Sequence, residues 1–190
     1  MARQILFVQG AGKGVHDCWD NKLVASLEQE LGDGYAVRYP RMPGEDEPGY
    51  EAWKAALAEE FNRLKDGAIL VGHSVGGTIL IHMLAEQLPK FSIGGLFLVA
   101  APFTGEGGWP SDEMEARTDF GERLPKGLPV HLYHGADDAE VPVGHVDLYA
   151  KTLPHAVVRM IEGADHQLNE NMSPVARDIR ADASVKEDEP

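Results

Sequence analysis

The chain has one cysteine, Cys18, no long apolar run, and few cations for its size: 17 Lys and Arg stand against 31 Asp and Glu, a formal net charge of −14 over 190 residues. A single thiol excludes an internal disulfide and fits a reducing compartment. With nothing near the roughly 20 consecutive apolar residues that span a bilayer, no membrane-crossing helix is expected. The stretch "MARQILFVQGAGKG" reaches a glycine loop before a secretory signal would complete its apolar centre and cleavage site. The expectation is a cytoplasmic protein. Excess negative charge repels phosphate backbones and anionic headgroups, so neither nucleic acid nor a membrane surface is expected as the main partner; a protein partner is left open. No His, Cys and Asp set has metal-ligand spacing, and "GAGKG" completes neither a Walker A loop nor G-x-G-x-x-G, so no metal and no cofactor is expected.

What is present is the composition of a folded domain. Hydrophobic residues make up 43% and charged residues 25%, which suffices for one core in a chain short for two. Six apolar runs read as strands: "QILFVQ" (4–9), "YAVRY" (35–39), "AILVG" (68–72), "GLFLVA" (95–100), "PVHLYHG" (129–135) and "AVVRMIEG" (156–163). Several are apolar on both faces, as a sheet covered on two sides requires. Between them, "WDNKLVASLEQEL" places Trp19, Leu23, Leu27 and Leu31 four apart, and "YEAWKAALAEEFNRL" stripes a second helix with Trp53, Leu57, Phe61 and Leu64. Trp19 and Trp53 therefore read as helix-face core. "VGGTILIHMLAEQL", "GHVDLYAKTL" and "QLNENMSPVARDIR", the last interrupted by Pro174, supply three more helices.

That alternation predicts an α/β fold, with about six mostly parallel strands and helices on both faces, as a single domain over residues 1–180. Residues 101–127 are too long for an ordinary connection and carry Phe103, Trp109, Met114 and Phe120; they read as a lid, a pocket wall or, in part, a crossover helix. The acidic, aperiodic stretch 181–190 reads as a frayed tail.

The chemistry starts at "GHSVGG". Gly72-His73-Ser74-Val75-Gly76 fits G-x-S-x-G between an apolar strand and a helical pattern, where a sharp turn exposes a serine oxygen and flanking glycines let strand and helix approach. A serine hydroxyl needs a base and a group that orients the base. "HLYHGADDAEVP" ends a strand with two carboxylates; Asp138, three residues after Gly135 and three before Val141, is the first candidate acid and Asp137 the fallback. "MIEGADHQLNE" places His166 just past the last strand; of the other histidines His73 is locked in the elbow, His82 lies on the helix behind it, His131 and His134 belong to a strand or its end, and His16, His145 and His155 lack a matching strand-end context. An oxyanion requires N–H donors: Val75 offers one at a helix start, and the loop "VQGAGKG" a second, from Ala11 or, failing that, Gly12. Gly12, His16, His73, Phe103 and Trp109 are candidates to line the pocket. Cys18 lacks an elbow context and is not read as a nucleophile.

The order Ser74, Asp138, His166, the glycine loop after the first strand, "GHSVGG", "HGADDAEVP" and "GADH" resemble the α/β-hydrolase superfamily along about the whole chain. "RYPRMPGEDEPGYEAWKAAL" further resembles small bacterial members related to the retinoblastoma-binding serine hydrolase. The resemblance implies a three-layer α/β-hydrolase fold without a large cap domain and a serine esterase. One departure is Gln9, where many relatives carry His before the loop glycine. The expected activity is hydrolysis of a small or short-chain carboxylic ester or related acyl compound through an acyl-enzyme on Ser74. The alternatives are a protein-binding module with an idle triad, or an acyltransferase or lyase using the same site.

Overall fold

The computed structural model describes residues 2–187, with side chains described through 183. Its sheet is built from β1 (Arg3–Val8), β2 (Tyr35–Arg38), β3 (Ala68–His73), β4 (Ile93–Val99), β5 (Val130–Gly135) and β6 (Val157–Ile161), each within a few residues of the run that predicts it. All five pairings are parallel, in the order β2-β1-β3-β4-β5-β6. Parallel neighbours demand crossovers, and the helices supply them: α1 (Asn21–Leu31), α2 (Tyr50–Phe61), α3 (Val75–Glu86), the single turn α4 (Phe120–Arg123), α5 (Gly144–Thr152) and α6 (Ser173–Glu187).

The sheet separates two apolar layers because successive strand residues face opposite ways. Ile5 and Phe7 of β1 join Leu23 and Leu27 of α1 and Ile179 of α6 on one face. Leu6 and Val8 join Trp53 and Leu57 of α2, Ile79 and Leu80 of α3 and Tyr149 of α5 on the other. β1 lies between β2 and β3, so the chain leaves β1 toward one side and returns on the other. Its exit loop and that of β3 therefore diverge, opening a crevice at the carboxyl ends of the strands, where ligands bind in open parallel sheets.

Three expectations change. Trp19 is not helix-face core but 52% exposed: residues His16–Asp20 form a π-helical turn before α1, and its wider winding breaks the four-residue spacing from Trp19 to Leu23. Pro174 does not interrupt a helix; it is the second residue of α6, where its missing N–H has no intrahelical partner to lose. α6 also runs on through 181–187, within the stretch read as a tail, and residues 188–190 lie outside the described residues. Residues 101–127 contain only α4 as helix, and Phe103 and Phe120 are buried against Tyr149. Among the described residues no helix is long and apolar enough to cross a membrane.

Candidate functional site

Ser74 sits between β3 and α3 with φ 50° and ψ −132°, a region costing a side chain of order 1–3 kcal/mol. Close packing imposes it. A Cβ on Gly76 would lie 2.0 Å from the Gln9 carbonyl oxygen, and one on Gly72 2.5 Å from Gly77 Cα. The glycines thus let α3 press against the end of β1 and the start of the elbow. Val75 is the first residue of α3, so its N–H has no intrahelical acceptor.

His166 and Asp138 arrive on the loops after β6 and β5. His166 Nδ1 lies 2.8 Å from Asp138 Oδ2. The carboxylate only accepts, so Nδ1 carries a hydrogen, and in the neutral ring Nε2 keeps the free lone pair. The Asp138 side chain is fully buried; the N–H groups of Glu140 and Val141 donate to its Oδ1, both at 2.9 Å, and His134 Nε2 approaches Oδ2 to 3.2 Å. Burial alone would raise this carboxyl, yet the hydrogen bonds from His134, His166 and Val141 outweigh it and hold the group well below the usual carboxylate range. Asp137 instead faces the cavity rim, its N–H donating to the Ala164 carbonyl. The His166 loop is braced by Asp165, whose Oδ1 accepts the N–H groups of Gln167 and Asn169 at 2.9 and 2.8 Å.

Ser74, Val75 and His166 line one cavity of about 550 Å³ together with Ala11, Gly12 and Trp109. Among the described residues Ala11 gives its N–H to no partner, whereas Gly12 donates to the Glu45 carbonyl at 2.6 Å. Three expected lining residues lie elsewhere. His16 stacks on Tyr39 at 4.2 Å and turns to Asp17. Phe103 is buried with Phe120 and Tyr149, because the chain after β4 folds inward before reaching Trp109. His73, 1% exposed, points beneath the elbow. Conversely Trp19, Lys13, Asp137, Glu140, Asp165 and Gln167 join the wall. Two other grooves, of about 530 Å³ beside α2 and about 690 Å³ around 124–130, are lined by neither serine nor cysteine. Among the described residues no three His, Cys, Asp or Glu side chains are grouped to hold a metal.

Two further carboxylates organise the site. Glu45 ties down the loop after β1: its side chain accepts from Gln9 Nε2 and the Gly14 N–H, both at 3.0 Å, while Gln9 Oε1 accepts the Met42 N–H. Gln9 thus anchors the loop from a fully buried position. Asp20, also fully buried, accepts the Gly10 N–H at 2.7 Å and faces His73. Neither role has a local sequence signal, since the loop and elbow groups these carboxylates hold, Gly10 and His73 for Asp20 and Gln9 and Gly14 for Glu45, lie 10 to 53 residues away.

The chain matches the model of the alpha/beta hydrolase family over residues 5–182. No curated protein matches it. Among solved structures it resembles the ydeN gene product from B. subtilis, at 18% identity and a TM-score of 0.77 over 96% of this chain and 100% of that one. It also resembles Est1E from Butyrivibrio proteoclasticus, at 16% identity and 0.69 over 95% and 86%, and a monoacylglycerol lipase from Paleococcus ferrophilus, at 16% and 0.69 over 95% and 94%. At these identities the likeness is one of fold, whereas the family match spans nearly the whole sequence, and the chain belongs to the alpha/beta hydrolase family.

Proposed function

We propose that the protein is a cofactor-independent serine hydrolase of small or short-chain carboxylic esters. The observation carrying this reading is the orientation of His166: its Nδ1–H is held by a buried, ionised Asp138, leaving Nε2 as a base on the cavity that also holds Ser74. Ser74 Oγ attacks the ester carbonyl carbon as His166 Nε2 takes its proton. The oxyanion is met by the N–H groups of Val75 and Ala11, and Asp138 stabilises the imidazolium formed. The tetrahedral intermediate collapses, the C–O bond to the leaving group breaks, and His166 returns the proton to that oxygen. Water, deprotonated by His166, then attacks the acyl carbon and restores Ser74.

Cavity shape and charge refine the substrate. A space of about 550 Å³ flanked by Trp19 and Trp109 suits a compact apolar acyl group. Its rim carries Asp137, Glu140 and Asp165 against Lys13, which disfavours substrates bearing carboxylates. The monoacylglycerol lipase named among the structural neighbours fits ester hydrolysis. A panel of p-nitrophenyl esters of graded acyl length, run on the native protein and on Ser74→Ala, tests the proposal. The expected result is a preference for short neutral acyl chains that disappears in the variant; preference for long chains, or equal turnover by Ser74→Ala, overturns it.

A further inference from the structure

Under the cavity floor lies a polar pair that the hydrolytic steps leave unused. Asp20 is 0% and His73 1% exposed. His73 Nδ1 lies 3.0 Å from Asp20 Oδ2, and its Nε2 lies 3.1 Å from the carbonyl oxygen of His166. A carbonyl and an ionised carboxylate both only accept, so with Asp20 ionised each ring nitrogen donates, which makes the ring an imidazolium. The carboxylate is itself supplied with the Gly10 N–H at 2.7 Å and the Gln167 amide at 3.4 Å.

These partners belong to three segments far apart in sequence. Gly10 precedes Ala11, His73 precedes Ser74, and the accepting carbonyl is that of His166 itself. We propose that Asp20 and His73 form a buried ion pair that positions these three segments, holding the oxyanion loop, the nucleophile elbow and the base in register. They are positioning residues, acting through the backbone of their neighbours, and this role rests on the acyl-transfer reading given above.

The electrostatics agree with the geometry. Burial opposes charge on both groups, but mutual attraction and the hydrogen bonds prevail: Asp20 is held below the ordinary carboxylate range and His73 above the ordinary imidazole range. The His166 ring, centred 4.9 Å from that of His73, and Asp138 also face the pair. A buried ion pair is on balance about neutral for stability compared with well-packed apolar side chains. Its contribution here is direction: a displacement of about 1 Å between reacting groups costs on the order of 100-fold in rate.

Asp20→Asn keeps the shape and, with its amide oxygen in the place of Oδ2, the acceptor for Gly10, while removing the negative charge that holds the second proton on His73. With p-nitrophenyl acetate the expected result is a kcat lower by about 10- to 100-fold with KM changed by less than about threefold, as loss of positioning predicts. Nitrogen-15 NMR of the native protein, with His73→Gln for assignment, is expected to show two ring N–H protons on His73 still present near pH 8, above the usual histidine range of about 6.5. In Asp20→Asn one is lost and the amide signals of Ala11 and Gln167 shift. A single ring proton in the native protein, or native kcat in a folded Asp20→Asn, overturns the proposal. If Asp20→Asn does not fold, the native spectrum decides. A native protein that shows both ring protons but neither hydrolyses esters nor reacts with a fluorophosphonate refutes the hydrolase reading and with it the catalytic role of the pair, while leaving the ion pair itself established.

Discussion

Gly76→Ala adds one methyl group at the most confined point of the elbow. The new Cβ would sit 2.0 Å from the Gln9 carbonyl oxygen and 2.8 Å from that of Val8, both rigid backbone. Ordinary contact begins near 3.4 Å, so α3 and the end of β1 must separate by about 1.4 Å, since packed interiors do not absorb such an overlap. The two proposed oxyanion donors ride on these elements, Val75 on α3 and Ala11 two residues after Gln9. Their spacing therefore opens by a similar amount. Overpacking of this kind costs about 1–3 kcal/mol of stability, and loss of alignment about 100-fold in kcat. Urea unfolding and p-nitrophenyl acetate turnover read the two effects separately. Activity within threefold of native at unchanged stability would refute the close-packed elbow on which the site geometry depends.

Three remaining expectations use other parts of the structure. Asp138→Asn is expected to lower kcat by about 10⁴-fold, the order seen when a triad acid is neutralised and the histidine tautomer is lost. Asp137→Asn, on the exposed rim and without a bond to His166, is expected to stay within about threefold; the reverse ranking in steady-state kinetics would move the acid to Asp137. His82, which hydrogen-bonds Thr104 Oγ1 at 2.8 Å and abuts Phe120, is pushed down to about 4 by burial and then by Arg117. The unfolded chain protonates this group near 6.5 and so binds more protons between those values; stability falls as pH drops through that window, by about 2–3 kcal/mol by pH 4.5. His82→Gln should lose that part of the slope, and parallel pH-stability curves from urea melts would contradict it.

Some of this was readable in the residue string because its physical cause is local. Strands buried on both faces, such as Ala68–His73, must be apolar throughout, so their runs stand out. Leu23, Leu27 and Leu31 fall on one helical face whatever surrounds them. Ser74, Asp138 and His166 each follow a strand, and strand ends in a parallel sheet converge on one edge. Trp19 escaped because a π-helical turn changes the period that the spacing assumes. The segment 101–127 has almost no regular structure beyond the single turn of α4 and hence no period to read. Asp20 and Glu45 are two among 31 acidic residues, and only the fold distinguishes them, by folding distant segments onto their carboxylates. The inward turn of Phe103 and the stacking of His16 on Tyr39 are likewise tertiary.

The central claim is that the Ser74 hydroxyl is activated by the His166 ring. Treating the native protein and His166→Ala with a fluorophosphonate, then mapping the adduct by peptide mass spectrometry, tests it most directly. The account predicts rapid, stoichiometric modification of Ser74 in the native protein and labelling slowed by at least about 1000-fold in the variant. Absence of an adduct, an adduct on another residue, or equal labelling of the two proteins would contradict it.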